Sequence, residues 1–170
     1  DYQDKFFDGV INNFVDSYSN GETPLPCVKC NQTVKFSDLL NEAKTIGADA
    51  LATGHYAIRK GSLRNASLHK AKDFSKDQSF FLFATLQEQL NYVRFPLGDF
   101  KKSEIRELAK EYKLSVSDKP DSQDICFVTS DSYRDLVKNL NPTANKKGII
   151  YDIDNNILGT HNGIINYTIG

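Results

Sequence analysis

The most reactive side chains in this sequence are its three cysteines, Cys27, Cys30 and Cys126. An odd number of cysteines, in a chain without a secretory signal pattern, argues against a structural disulfide framework. The pair Cys27-Val28-Lys29-Cys30 leaves three chemistries open: a redox dithiol, two ligands of a zinc site, or a thiol that acts as a nucleophile or carries sulfur. Buried cysteines with a purely structural role are a fourth alternative.

Each of these chemistries needs particular surroundings. A thioredoxin-like dithiol stands at the start of a helix after a strand, whereas Pro24 and Pro26 predict a loop or irregular turn here. A reactive thiol needs nearby positive charge, which Lys29 or Lys35 could supply. A structural zinc site needs four ligands. Those missing from the pair would have to come from Cys126, His55, His69 and His161.

The first predicted elements form a helix, an irregular segment and a second helix. Apolar residues at helical spacing predict an amphipathic helix from Phe6 to Tyr18, ended by Asn20-Gly21. Ser37 is the predicted N-cap of the second helix, which ends at Gly47. The apolar run that follows, residues 48–52, predicts a buried parallel strand. Ligands bind at the carboxyl ends of such strands, so Thr53, Gly54 and His55 would lie at a ligand site.

The remaining pattern predicts more helices and two hairpins. The predicted elements are a basic hairpin or loop over 59–72, a helix over 77–90, a helix beginning at Ser103, a strand over 125–128, a helix over 133–140 and a hairpin over 149–159. Taken alone, Cys126 in that short apolar strand is more typical of a buried position than of a catalyst. The fold class is therefore α/β, with a partial parallel-sheet domain over 1–144. A second, mostly β domain begins at 145–170.

Composition excludes several classes of protein. Hydrophobic residues make up 39% and charged residues 25%, which is typical of a globular chain rather than a disordered one. No apolar run approaches the roughly 18 residues of a membrane span. The net charge of −1 gives no whole-chain signal for nucleic acid, although a local basic face remains compatible with it. The chain begins with Asp1, contains no Met and stops in a strand-like run, so we expect a fragment of a longer protein.

Several motifs follow one another in a fixed order. They are Gly21-x-Thr23-Pro24-x-Pro26-Cys27-x-x-Cys30-Asn31, Lys35-Phe36, Ala52-Thr53-Gly54-His55-Tyr56, Lys76-Asp77-Gln78-Ser79, Phe95-Pro96-Leu97-Gly98, Asp121-Ser122-Gln123-Asp124-Ile125-Cys126-Phe127, Leu158-Gly159-x-His161-x-Gly163 and Tyr167-Thr168-Ile169-Gly170. In this order the chain resembles the bacterial and mitochondrial tRNA-specific 2-thiouridylases, members of the PP-loop ATP pyrophosphatase group. The resemblance covers essentially all 170 residues.

The resemblance implies ATP-dependent 2-thiolation of the wobble uridine of tRNA. ATP adenylates the C2 oxygen of the uridine, and sulfur then comes from a cysteine persulfide. Transferred to matching positions, Cys30 is the nucleophile and Cys126 the persulfide carrier. The binding residues that the family implies are Gly54 for ATP, His55, Lys76, Asp77 and Gln78 for tRNA, and Leu25, Pro26 and Cys27 for the target base.

The resemblance also implies ligands and partners. We expect ATP with Mg²⁺ as cofactor, and tRNA and a sulfur-donor relay protein or cysteine desulfurase as partners. We expect the protein to be cytoplasmic and not to bind a membrane. Two positions depart from the family: Cys27 replaces an acidic residue of some members, and Leu25 replaces a common asparagine. The family's Ser-Gly-Gly-x-Asp-Ser phosphate loop is expected before Asp1, so we expect this segment alone to be inactive. Rival hypotheses are another PP-loop enzyme, or a non-catalytic zinc- or RNA-binding module.

Overall fold

The chain folds as two compact units. A computed structural model describes residues 1–118, 125–128 and 132–168. One unit combines Asp1–Pro26 with Ser122–Gly170, and the other is Cys27–Asp121. Residues 121–124 of the Asp121–Phe127 motif, and the final Ile169-Gly170, lie outside the described residues.

The first unit is built around two helices. Helix α1 runs through the consecutive segments Gln3–Phe6, Phe7–Asn12 and Asn13–Ser19, of which the middle one is wound as a π-helix. The amphipathic helix predicted there is confirmed, and it ends where Gly21 adopts a φ of +78°. The buried face of α1 packs on a helix at Tyr133–Leu140, which was also predicted. The core of this unit consists of Phe14, Val15, Tyr18, Val137 and Ile165.

The first unit ends in a β-hairpin. Its strands, Gly148–Tyr151 and Ile157–His161, pair antiparallel with a register shift at Ile150/Tyr151, and the turn is held by the Asp152 carboxylate. A 3₁₀ turn at Pro142–Asn145 precedes the hairpin and another at Ile164–Asn166 follows it. The predicted hairpin is confirmed.

The prediction of a strand at residues 125–128 was wrong. This segment is a turn, in which the Val128 amide donates to the Ile125 carbonyl at 3.0 Å. Ile125, Phe127 and Val128 pack against the core of the first unit, and the Phe127 ring meets the Phe14 ring edge-on. Because the apolar neighbours turn inward, Cys126 is exposed instead of buried.

The second unit opens with a long helix, here called α2, which corrects two predictions. It comprises Pro26–Cys30, a π-helical stretch at Asn31–Leu39, and Leu40–Thr45. The cysteine pair therefore lies at the start of a helix, as its second and fifth residues, and not in a loop. Pro26 is tolerated there because the first helical residue has no amide partner to lose. Ser37 lies inside α2 and does not cap it, whereas Gly47, with a φ of +76°, ends it as predicted.

A short parallel sheet lies at the centre of the second unit. Strand β1, Leu51–Ala52, pairs with a strand at Val93–Arg94 that the sequence did not indicate. The core beneath it includes Phe36, Leu40, Leu82, Val93 and Phe95. The predicted α/β class with parallel strands is confirmed.

The rest of the second unit surrounds this sheet. A hairpin of Ala57–Gly61 and Ala66–Lys70 confirms the predicted one, and a helix at Lys102–Glu111 follows further along the chain. The cap of that helix is Lys101, whose amide donates to the Glu104 carboxylate at 2.5 Å, and not Ser103. The helix predicted over 77–90 was wrong. The chain instead forms 3₁₀ turns at Phe74–Lys76 and Ser79–Leu82 and a short helix at Gln87–Tyr92.

Within the described residues, no helix is long and apolar enough to cross a membrane.

Candidate nucleotide and thiol site

A cavity of about 420 Å³ lies at the carboxyl end of β1. It is lined by Lys35, Leu39, Leu51, Ala52, Thr53, Gly54, His55 and Gln78. Thr53, Gly54 and His55 lie where the sequence places them, directly after the strand. Lys35 comes from α2 and Gln78 from the segment between the two 3₁₀ turns. Three elements far apart in sequence therefore form one site.

Gly54 is exposed and its surroundings are open. A Cβ built on it would have Leu97 Cδ1 at 3.9 Å as its nearest neighbour beyond the adjacent residues, which is an ordinary van der Waals contact. Its φ is not in the left-handed region. Local packing therefore gives no reason for a glycine here. A side chain at this position would occupy space in the cavity.

His55 forms a buried wall of the cavity. Its ring lies between Phe36 and Phe95, with centroids at 6.1 and 6.2 Å, and its Nδ1 is 2.9 Å from Thr53 Oγ1. Burial, and secondly the charge of Lys35, lower the pKa of His55 to about 4. At neutral pH the ring is therefore uncharged, and it can meet a ligand by hydrogen bonding or stacking but not as a cation.

This burial makes the stability of the protein depend on pH. As pH falls below about 6.5, His55 takes up a proton in the unfolded chain, but in the folded chain it does so only near pH 4. The free energy of unfolding should therefore decrease between these values, by about 3 kcal/mol for this residue. Urea denaturation at several pH values measures it.

The variant His55→Gln should lose this part of the pH dependence. His69→Gln is the matched control, since the His69 ring is exposed on the hairpin and the variant should follow the wild-type curve. A wild-type stability that is flat from pH 7 to pH 4.5 would contradict the burial of a neutral His55.

Gln78 and Asp77 are held firmly next to the cavity. The Tyr56 amide donates to Gln78 Oε1 at 2.9 Å, and the Gln78 amide donates to the Tyr56 carbonyl at 2.8 Å. Asp77 accepts from the Ala71 amide with one carboxylate oxygen and from Ser79 Oγ with the other, both at 2.7 Å. The Asp77 carboxylate thus fixes the turn, and a contact of Asp77 with tRNA stays a prediction. Lys76 is half-buried at the end of its 3₁₀ turn.

The cysteine pair and the cavity share α2. Cys30 is half-buried in its first part, little more than one helical turn before Lys35. Cys27 is exposed, Pro26 is buried and Leu25 is exposed. The first turn of a helix favours negative charge, and Cys27 lies in that turn of α2, whereas Cys30 is the fifth residue of the helix. None of the three cysteines is in a disulfide.

Asn31 anchors the start of α2, a role that sequence reasoning missed. It is only 3% exposed, and its Nδ2 donates to the Phe81 carbonyl at 3.0 Å. The position next to Cys30 in the motif was the only available signal. This hydrogen bond ties the cysteine-bearing helix to the 3₁₀ turn at Ser79–Leu82.

The described residues contain no group of three or more His, Cys, Asp or Glu side chains arranged to hold a metal ion.

Two family models match this chain in succession. The model described as the tRNA methyl transferase HUP domain matches residues 1–130, and the tRNA methyl transferase PRC-barrel domain matches residues 134–170. The chain belongs to this family.

Curated relatives align over the whole of the chain. The tRNA-specific 2-thiouridylase MnmA of Orientia tsutsugamushi is 59% identical over 169 residues, covering 99% of this chain and 46% of the relative. The proteins of the same name from Rickettsia prowazekii and Hyphomonas neptunium are 55% and 53% identical, each over the full chain and 48% and 43% of their own lengths. The predicted resemblance is thereby confirmed. The chain spans just under half the length of these relatives.

Proposed function

We propose that this chain is part of an enzyme that thiolates the C2 position of the wobble uridine in tRNA in an ATP-dependent reaction. The observation that carries the proposal is that α2 bears Cys30 and also supplies Lys35 to the cavity at the end of β1. One rigid element thus connects a thiol with a ligand pocket. The names of the curated relatives support the coarser statement, 2-thiolation of uridine in tRNA.

The cavity suits part of a nucleotide. Its volume of about 420 Å³ lies within the range of ligand pockets in proteins. Gly54 would hold ATP by close approach of its backbone, and Lys35 would offer positive charge to phosphate groups. ATP, accompanied by Mg²⁺, would supply adenylation of the uridine C2 oxygen, which turns a poor leaving group into a good one.

The cysteines would perform the sulfur transfer. The terminal sulfur of a Cys126 persulfide bonds to C2 of the activated uridine, and the activated oxygen leaves. The Cys30 thiolate then attacks Sγ of Cys126, which breaks the bond to the transferred sulfur and forms a Cys30–Cys126 disulfide. An external thiol reduces this disulfide before the next turnover. A sulfur-donor relay protein or cysteine desulfurase would reload Cys126, and the exposure of Cys126 suits such delivery.

We further propose that the tRNA is bound through His55, Lys76, Asp77 and Gln78, with the target base near Leu25, Pro26 and Cys27. His55 and Gln78 line the cavity, so RNA and nucleotide would meet there. We propose a cytoplasmic location, where tRNA and ATP are available.

The variant Gly54→Ala separates ligand binding from folding. We expect unfolding at the wild-type temperature, because the new methyl group meets only Leu97 at 3.9 Å. We expect ATP to bind about tenfold more weakly, since the methyl group occupies space that a nucleotide needs. Calorimetric titration of the full-length protein with ATP and a thermal melt measure the two effects.

A fall in melting temperature that accounts for the weaker binding would contradict this assignment of Gly54, as would unchanged ATP affinity.

The proposed reaction is tested with the full-length protein, ATP, an unmodified tRNA transcript, and a cysteine desulfurase supplied with sulfur-labelled cysteine, which delivers sulfur at the oxidation level of a persulfide. Formation of labelled 2-thiouridine at the wobble position, dependent on ATP, is the expected result. Methylated uridine instead would support the activity in the family models' description, and no modification together with stoichiometric zinc would support a metal-binding module.

A further inference from the structure

Two phenylalanine side chains of the second unit, Phe80 and Phe83, are largely exposed to solvent. Phe80 and Phe83 are 60% and 64% exposed, and their ring centroids are 6.0 Å apart. Phe80 also meets Phe81 edge-on at 5.6 Å. Exposed aromatic side chains that contact each other form a surface with accessible ring faces and edges, which is costly in water unless a partner covers it.

The backbone beneath these rings is fixed. Leu82 between them is 1% exposed and belongs to the core of the unit. Asn31 holds the Phe81 carbonyl, and Asp77 holds Ser79 at the start of the 3₁₀ turn. The turn that carries the two rings is therefore fixed by hydrogen bonds and by a buried side chain. A surface fixed before binding loses less conformational entropy when a ligand binds.

The chain around the rings is basic. Residues 57–83 contain six Lys or Arg against two Asp, whereas the whole chain has 21 against 22 Asp or Glu. Both aspartates are engaged internally: Asp77 as described above, and Asp73 with Ser75 and the Lys102 amide. Lys60, Arg64 and Lys70 of the hairpin are exposed, and no ion pair holds them within the described part of the chain. The strand Ala66–Lys70 packs against the 3₁₀ turn that carries Phe80.

We propose that Phe80 and Phe83 form a stacking platform for an unpaired base of the RNA substrate. This proposal rests on the proposed function and specifies which part of the RNA the surface takes. Aromatic rings stack on the face of any unstacked base, and adjacent lysine and arginine side chains attract the phosphates that flank it. A paired helix hides its base faces, so the platform selects single-stranded loop nucleotides.

The test measures binding of the full-length protein to an anticodon stem-loop RNA and to a fully paired duplex of the same composition. Phe80→Ala and Phe83→Ala should each weaken stem-loop binding between about fivefold and about a hundredfold. Duplex binding should stay unchanged. Phe80→Tyr should bind the stem-loop like wild type, because it keeps the ring.

Two further variants separate stacking from other causes. Phe80→Leu keeps apolar surface but no ring, and should bind as weakly as Phe80→Ala. Tyr112→Ala is the matched control, since Tyr112 is 71% exposed at the end of the helix Lys102–Glu111, where three Glu balance three Lys or Arg, and should not contact RNA. Melting temperatures of Phe80 and Phe83 variants should match wild type because both side chains are exposed.

Wild-type stem-loop binding by Phe80→Ala would overturn the platform. Full binding by Phe80→Leu would also overturn it, because apolar surface without a ring would then suffice. Equal losses for stem-loop and duplex would overturn it too, because stacking on an unpaired base would then not be the cause. Thiolation by wild type is assayed in parallel. If thiolation fails but stem-loop binding still depends on the rings, the proposed function falls while the platform stands.

Discussion

Under the proposed function, Cys30→Ser and Cys126→Ser should each reduce formation of 2-thiouridine by the full-length protein to below about a thousandth of the wild-type rate. A hydroxyl replaces a thiol of nearly the same size, so the change removes nucleophilicity and sulfur-carrying capacity with little effect on packing. Since Cys126 is exposed, its variant should also unfold at the wild-type temperature.

The two variants should fail at different steps. With labelled sulfur donor and no tRNA, Cys30→Ser should still acquire protein-bound sulfur that reductant removes, because Cys126 remains. Cys126→Ser should acquire none. Both should bind ATP and tRNA as wild type does, which controls for misfolding. Undiminished thiolation by either variant would remove that cysteine from the mechanism.

Gly98→Ala lowers the free energy of unfolding by about 3 kcal/mol or more. A Cβ at Gly98 would stand at a severe overlap with the carbonyl oxygen of Ala57, and close to Ile58 as well. The obstacle is backbone at the start of the hairpin, and the Gly98 carbonyl itself accepts from the Lys72 amide at 2.9 Å. Neither the backbone at Gly98 nor the backbone at Ala57 can move aside without disrupting the packing around Ala57, which is fully buried.

Chemical denaturation measures this loss. Gly159→Ala is the matched control: it lies in a strand, a Cβ there meets nothing within 4 Å, and the variant should be as stable as wild type or slightly more so. Equal stability of the Gly98 and Gly159 variants would show that the close approach at Gly98 is not a constraint of the fold.

The sequence predicted those elements whose local pattern and tertiary surroundings agree. The helix over 133–140 has a strong apolar periodicity and the hairpin over 149–159 has a clear turn, so both were found. The stretch over 59–72 was predicted only as a basic hairpin or loop, and it forms a hairpin. The residues of the cavity that follow a strand, Gly54 and His55, were found because a parallel sheet fixes where ligands bind. The contribution of Lys35 as a cavity wall could not be predicted, since it depends on how α2 packs over β1.

The errors have physical causes as well. Prolines near Cys27 suggested a loop, but a proline in the first turn is compatible with a helix, and only the tertiary structure decides. The apolar run Phe80–Phe83 suggested a helix face, yet Asp77 fixes the turn before it through the distant Ala71 amide. Cys126 was assigned to a strand because turns between apolar residues leave no periodic signal in so short a segment.

The reciprocal pairing of Gln78 with Tyr56 has a consequence for selectivity. A backbone amide can only donate, so the atom of Gln78 that receives the Tyr56 N–H must be the oxygen. The Gln78 side chain, which lines the cavity, keeps both donors of its NH₂ group, while one of the two lone pairs of Oε1 is already used. A molecule that presents a lone pair at that wall is matched, and one that presents a hydrogen there leaves two donors facing each other. Where the NH₂ group meets a ligand, hydrogen-bond polarity would therefore add a distinction that shape alone does not provide.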